Sequence, residues 1–361
     1  MLLRAAMMLA AVLVAAGVSE AVARLLVARH VRAERLYRTT AAPAFWSDID
    51  RSFGVWHPPN VTFRHAEKCW DVTYHTNSYG ARDVERARRS TAARRHVVLG
   101  DSFVEGYGIP DGDRLTDRLN APGREEFLNF GTSGAFGTVQ ELVLYRTLAS
   151  TFDHSDVLLF VLPLNDFIDN DPKYSSASRY RPYLRATSDG YETYYTVPFD
   201  RRDTGTLSSA MIGWNRLSNR VAAVNLIRQG IERRIDTRVE PLYVSYPGHS
   251  QRELDVMAEA IRELAVAASG RPVRVFLIPL QSDLDGYIHA GERYDLPERL
   301  ASTLGTARNV DVVDLLPRFV RYASEHRVPT SAFFLDCDAH WSSLGNAVAT
   351  DAVQSVLQPL Q

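Results

Sequence analysis

Four short stretches of the chain carry the residue types from which nucleophilic catalysis is built. The first is Gly100-Asp101-Ser102-Phe103, directly after the apolar run Val97, Val98, Leu99. A serine there stands at a strand-to-helix turn, where it either caps a helix or presents a nucleophile. The second is "NFGTSGAFG", Asn129 to Gly137, whose glycines let the backbone approach a ligand closely and offer it N–H groups. The third, "LPLNDF", puts Asn165 and Asp166 just past another apolar run, where an amide can point into a cleft or cap the next helix. The fourth, "DCDAHWSSLGN" (336–346), sets His340 two residues after Asp338 and four after Asp336. A nucleophile needs a base, the base needs a carboxylate to fix its tautomer, and a developing oxyanion needs preorganised donors. Ser102, His340, Asp338, Gly134 and Asn165 together supply all three.

These residues can meet only if the intervening chain brings them to one edge. Short apolar runs at 96–100, 126–131, 156–162, 273–280 and 310–315 alternate with amphipathic stretches at 138–151, 251–268, 295–307, 316–325 and 343–358. Continuous apolar strands alternating with helices predict an α/β fold with a parallel sheet covered on both faces. Ligands of such sheets bind at the carboxyl ends of the strands, where all four stretches fall. Residues 40–90, with Pro58-Pro59 and turn residues, read as an irregular extension wrapping the domain. A long insertion at about 170–250 holds the turn signal Ser188-Asp189-Gly190 between two aromatic-rich arms, then a helical stretch at 207–235. Its aromatics read as the packed side of a hairpin, with stacking on a sugar as the alternative.

At this point the chain resembles the SGNH (GDSL-type) serine hydrolase superfamily, over roughly residues 95–355 without the insertion. Gly100-Asp101-Ser102-Phe103 is similar to that family's first block, whose serine is the nucleophile and whose serine N–H is an oxyanion donor. Gly134 and Asn165 stand where the second and third blocks supply the other donors, and His340 where the last block supplies the base. The resemblance implies a flavodoxin-like three-layer αβα domain with a five-stranded parallel sheet and no cofactor. It further implies an ester hydrolase acting on an O-acyl group, such as the acetyl ester of a carbohydrate or envelope polymer, or an O-acyltransferase sharing the same acyl-enzyme. Two positions depart from the pattern: Pro163 replaces a glycine, and Cys337 stands three before His340, where an aspartate is usual. Asp338-Ala339-His340-Trp341 is similar to the last block of the superfamily's envelope polysaccharide O-acetylation proteins, which assigns the acid to Asp338, with Asp336 as the alternate. The segment "HTNSYGARD" (75–83) looks like a membrane-anchored bacterial subgroup.

Composition narrows the function classes. The 361 residues carry a formal charge of −2, without the clustered Lys and Arg excess that nucleic acid requires. No Lys-Ser/Thr follows the glycine-rich segment, which argues against a phosphate loop. "NDFIDNDP" lacks the spacing of a calcium loop and reads as helix capping, while His154, His249 and His289 read as structural or solvent-exposed. The two cysteines, Cys69 and Cys337, are too few for a zinc site and form either one disulfide or two buried thiols. Ala5 to Val18 is unbroken apolar sequence, so residues 1–28 read as a signal segment or membrane anchor, 29–90 as an extension and 91–361 as the hydrolase domain. The expected location is extracytoplasmic, anchored or secreted. Against this, Arg24, Arg29, Arg32, Arg35 and Arg38 follow the apolar run and only Arg4 precedes it, which by the positive-inside rule alone would hold the rest in the cytoplasm. Two rival readings remain at this stage: a catalytically weak envelope protein that binds a glycan through the same cleft, and a membrane-tethered assembly protein.

Overall fold

Apolar runs fold as helix when long and as buried strand when short, and the computed structural model contains both. It describes residues 2–28, 45–67, 69–121, 123, 125–174, 179–188, 190–202, 208–235, 245–307 and 309–357. Arg29, Arg32, Arg35, Arg38 and Asp189 therefore lie outside the described residues. The N-terminal run is helix α1 (Leu2–Ala28), of which Leu3–Leu26 is long and apolar enough to cross a membrane. Two antiparallel pairs follow, β1 (Ser47–Asp50) with β2 (Gly54–Trp56), and β3 (Thr62–Ala66) with β4 (Asp71–His75). The alternating part begins with β5 (Arg95–Gly100), α2 (Ser102–Glu105), α3 (Leu115–Asn120), β6 (Glu126–Gly131), α4 (Thr138–Thr147), β7 (Asp156–Val161) and α5 (Pro163–Asp169). The insertion supplies the hairpin β8 (Pro182–Thr187) and β9 (Gly190–Tyr195), then α6 (Ser209–Arg220) and α7 (Ala222–Ile235). The chain continues with α8 (Gln251–Ala267), β10 (Val273–Leu277), α9 (Gln281–Asp285), α10 (Leu296–Leu304), β11 (Val310–Asp314), α11 (Leu316–His326) and α12 (Ser343–Leu357).

The described chain forms two units. One contains α1, residues 65–71 and the helices α6 and α7; the other contains the sheet. In the sheet unit, β11, β10, β7, β5 and β6 lie side by side in that order, all parallel, as the α/β pattern predicts. Val97 of β5 sits between Leu128 and Val157, and Val275 of β10 between Leu159 and Val312. β5 and β7 are buried at every residue, which explains their lack of alternation: both faces need apolar side chains. Helices α4, α8 and α10 pack together, and so do α3, α11 and α12. The extension is more regular than its turn residues imply. Pro58-Pro59 separates two hairpins, and Phe53, Val55, Trp56 and Ala81 enter the main core.

The strand order reverses direction of growth between β5 and β7, and the carboxyl ends at that point are where α/β sheets bind ligands. Two glycines let α2 settle on this edge. A Cβ on Gly131, the last residue of β6, would stand 2.3 Å from the Glu105 backbone nitrogen, and one on Gly100 would stand 2.4 Å from Val104 Cγ2. Backbone cannot give way as a flexible side chain can, so Gly131→Ala should cost about 2–3 kcal/mol through overpacking. Urea unfolding measures this, and a loss below about 1 kcal/mol would contradict so close an approach.

Candidate active site

Ser102 is the first residue of α2, directly beyond β5, and Asp101 caps it by accepting the Phe103 N–H (2.9 Å). The helix ends after one turn because Gly106 adopts a left-handed conformation (φ 83°). His340 comes from the far end of the chain. Its segment is a tight loop closed by the Phe334–Trp341 bridge, by Leu335 N–H to His340 O (2.9 Å) and by Ser342 N–H to Phe333 O (2.8 Å). Trp341 is buried against Phe103 and Phe319, and the imidazole lies between Phe103 and Tyr107, with centroids 4.9 and 4.5 Å away. This packing aims His340 Nε2 at Ser102 Oγ, 2.6 Å away. The other ring nitrogen, Nδ1, donates to Asp338 Oδ1, which also accepts the His340 backbone N–H (3.0 Å). A carboxylate only accepts, so the proton sits on Nδ1 and Nε2 is left as the acceptor for the serine hydroxyl. Asp336 is exposed.

The two other predicted donors lie on the neighbouring strand ends. Asn165 Nδ2 donates to Asp101 Oδ2 (3.0 Å), which uses one of its two hydrogens. Pro163 departs from the expected glycine without harm because it occupies the first helical turn of α5, where no N–H is needed. Gly134 adopts φ 100° and Ala135 φ 62°, a strained backbone for alanine. The Gly134 carbonyl accepts from Arg179 Nη2 (2.7 Å), which also pairs with Asp48 (3.0 Å). The remaining last-block residues are structural. Gly345 sits where a Cβ would meet the Phe333 carbonyl at 2.2 Å, and Asn346 Oδ1 accepts the Leu115 N–H at the start of α3 (2.9 Å). His154 bonds Tyr145 and the Phe152 carbonyl, His249 stacks on Phe167, and His289 is exposed. Both cysteines, Cys69 and Cys337, are disulfide-bonded.

Sequence reasoning missed the group that braces this edge. Glu105, at the end of α2, is fully buried and accepts from Ser133 N–H (2.6 Å), from the Ser133 hydroxyl and from Trp46 Nε1 (3.0 Å). His57 Nε2 lies 3.3 Å from the same carboxylate, and Arg82 donates to the carbonyls of Glu105 (3.1 Å), Gly106 (2.5 Å) and Ile109 (2.6 Å). Burial alone would raise the Glu105 pKa, but His57, Arg82 and Ser133 outweigh it and hold it at about 2. The only clue in the sequence is an acid in the otherwise apolar "SFVEG".

A second set of carboxylates lies behind Ser102 with the opposite balance. Burial pushes Asp101 up to about 6, only partly offset by the Phe103 N–H and Asn165. Burial also raises Glu141 and Asp166 well above the usual range, reinforced by their carboxylate neighbours, and raises Asp169 despite Arg181. Asp166 Oδ2 caps the Leu162 N–H (2.7 Å) and Asn170 Oδ1 caps Val139 N–H (3.0 Å), so "NDFIDNDP" does act in capping.

No protein-family model and no curated protein matches the sequence. Among solved structures, the chain is similar to a member of the lipolytic protein G-D-S-L family from Veillonella parvula, at 14% identity and a TM-score of 0.39, over 74% of this chain and 100% of that one. It is similar to a mutant of Axe2, an acetyl-xylooligosaccharide esterase from Geobacillus, at 12% identity and a TM-score of 0.37, over 73% of this chain and 94% of that one. A salicylyl-acyltransferase of a tetracycline biosynthetic pathway matches at 10% identity and a TM-score of 0.36, over 75% of this chain and 58% of that one.

The buried acids have a consequence for stability. Raised folded-state pKa values mean that the folded chain binds more protons than the unfolded chain above pH 4. Their stabilisation is therefore full below the unfolded carboxylate range and is lost as pH rises, through about 6 for Asp101. Glu141→Gln removes one titrating member. Urea midpoints at pH 4.5 and 7.5 should fall less steeply in this variant than in the wild type, and equal slopes would contradict the assignment.

Proposed function

We propose that the protein is a serine ester hydrolase of the SGNH type. The observation that carries the reading is the hydrogen-bonded series Ser102 Oγ, His340 Nε2, His340 Nδ1, Asp338 Oδ1 at the carboxyl edge of a parallel sheet. In this reading Ser102 Oγ attacks the ester carbonyl while His340 Nε2 takes its proton, and Asp338 stabilises the imidazolium. The Ser102 N–H, the Gly134 N–H and the second Asn165 amide hydrogen receive the oxyanion. His340 returns the proton to the departing alcohol, leaving an acyl-serine that water, activated by the same imidazole, hydrolyses.

An O-acyl carbohydrate is the substrate class we favour. A groove of about 260 Å³ lies between Phe167 and the hairpin residues Tyr191 and Tyr194, with Arg185, Arg252 and Asp255 also lining it; Ser102, Asn165 and His340 are not among its lining residues. Aromatic faces with flanking charged groups suit a sugar ring. A sugar hydroxyl attacking in place of water would turn the same acyl-enzyme into an O-acyltransferase. The apolar α1 as signal or anchor, together with the disulfide, supports an extracytoplasmic site.

Mass spectrometry of the protein offered acetylated glycans and short-chain esters tests the reading: a stable adduct of one acyl group on Ser102 is expected in a deacylation-slowed variant. Asp338→Asn should lower turnover by about 10³–10⁴, as loss of a triad aspartate does, with Asp336→Asn within about twofold of wild type. Asn165→Ala should cost about 10²–10³. Equal losses at Asp336 and Asp338, or full turnover in Asn165→Ala, would contradict the assigned roles.

A further inference from the structure

The helices α6 and α7 are built inside out. Their mutual contacts are polar: Arg228 Nη1 donates to Asn215 Oδ1 (2.6 Å), and Asn225 Nδ2 donates to the Ser218 carbonyl (3.2 Å) and lies 3.3 Å from its hydroxyl. Their large apolar side chains face outward instead. Met211, Trp214 and Leu217 recur every third residue along α6 and are 43, 40 and 44% exposed. Ile227 and Ile231, one turn apart on α7, are 61 and 50% exposed. A helical hairpin in water buries such residues between its helices, so this outer face fits an apolar medium.

The same unit identifies the medium. α7 begins against α1, where the Glu20 carboxylate accepts the N–H groups of Ala222 (3.1 Å) and Ala223 (2.9 Å) and pairs with Arg24 (2.7 Å). Leu3 to Glu20 spans about 26 Å of helix, close to the ~30 Å thickness of a bilayer's hydrocarbon core. Glu20 lies about 9 Å of helix before Leu26, where the apolar span ends, so the α6–α7 junction meets α1 within about two turns of that end. Charge agrees: from Ser208 to Ile235 the sequence has Arg216, Arg220, Arg228, Arg233 and Arg234 against the single acid Glu232. Arg216 and Arg220 are exposed on α6. Apolar side chains flanked by arginine and a tryptophan are the signature of a helix lying at the headgroup level.

We infer that α6 and α7 form an interfacial hairpin that lies on an anionic lipid bilayer, with Met211, Trp214, Leu217, Ile227 and Ile231 in the acyl boundary and the arginines among the phosphates. This rests on reading α1 as a membrane segment. It gives the insertion a second contact with the membrane, independent of the catalytic residues.

The test uses the full chain in vesicles of phosphatidylcholine and phosphatidylglycerol. The native cysteines are disulfide-bonded, so a single introduced thiol takes an environment-sensitive fluorophore. Labels at Leu217→Cys and Ile231→Cys should be quenched at least twofold by lipids spin-labelled near the headgroup, more than by lipids labelled at mid-chain. They should also be at least threefold less quenched by aqueous iodide than a label at the exposed Val84→Cys. Iodide quenching equal to that at position 84 overturns the inference. So does shielding from iodide without lipid quenching, which would show a second copy of the chain on this face, and so does stronger quenching from mid-chain. A label at Leu13→Cys separates the two readings: quenched from mid-chain, it leaves α1 in the membrane while the hairpin inference fails alone, and unquenched, it removes both.

Discussion

A carboxylate with no exposed surface costs several kcal/mol unless charged and hydrogen-bonding partners surround it, and Glu105 has both. It belongs to the same single turn of helix as Ser102, yet its partners come from elsewhere: Ser133 from the loop after β6, Trp46 and His57 from the extension. That one group therefore ties the turn carrying Ser102 to the loop that holds Gly134, and both to the N-terminal extension. Arg82 completes the arrangement by donating to the Glu105 and Gly106 carbonyls at the end of this one-turn helix. The spacing of the two backbone oxyanion donors in the proposed mechanism depends on this clamp.

The carboxylates around Ser102 divide into two electrostatic regimes a few residues apart. Glu105 is held ionised by cations and donors, whereas Asp101, Asp166 and Glu141 are driven toward the neutral form by burial and by one another. Burial thus disfavours the charged form of the acids on one side of Ser102, while the partners of Glu105 favour its charged form on the other. Asp338 alone among these acids meets the imidazole, and it stays partly exposed, which spares it the desolvation cost the others carry.

Most of the scaffold was legible from local patterns. The five apolar runs became the five parallel strands with ends shifted by a few residues; β5 and β7, buried at every residue, leave the clearest apolar runs, while the edge strand β11 is only half-buried. Ser102 and His340 could be singled out from the sequence because each stands at a chemically distinctive turn, and the structure brings them within 2.6 Å of each other. The sequence put Asp338 ahead of Asp336 only through the resemblance of Asp338-Ala339-His340-Trp341 to a known last block; in the structure one Asp338 oxygen meets both the backbone and the ring of His340. The roles of Glu105, Arg82, His57 and Trp46 were hidden for a different reason. Their contacts with Glu105 span separations of up to 59 residues, and no periodicity or spacing in one chain records such contacts. The regular hairpins of the extension were also missed, because Pro58-Pro59 marks the break between them and masks the strands on either side.

The central claim is that Ser102 is a nucleophile activated by His340. Labelling the folded protein with a fluorophosphonate tests it most directly. The account predicts one adduct per chain, located on Ser102 by peptide mass spectrometry and lost in both the urea-unfolded protein and a His340→Ala variant. Folded protein that leaves Ser102 unlabelled, or labels it equally without His340, would contradict it.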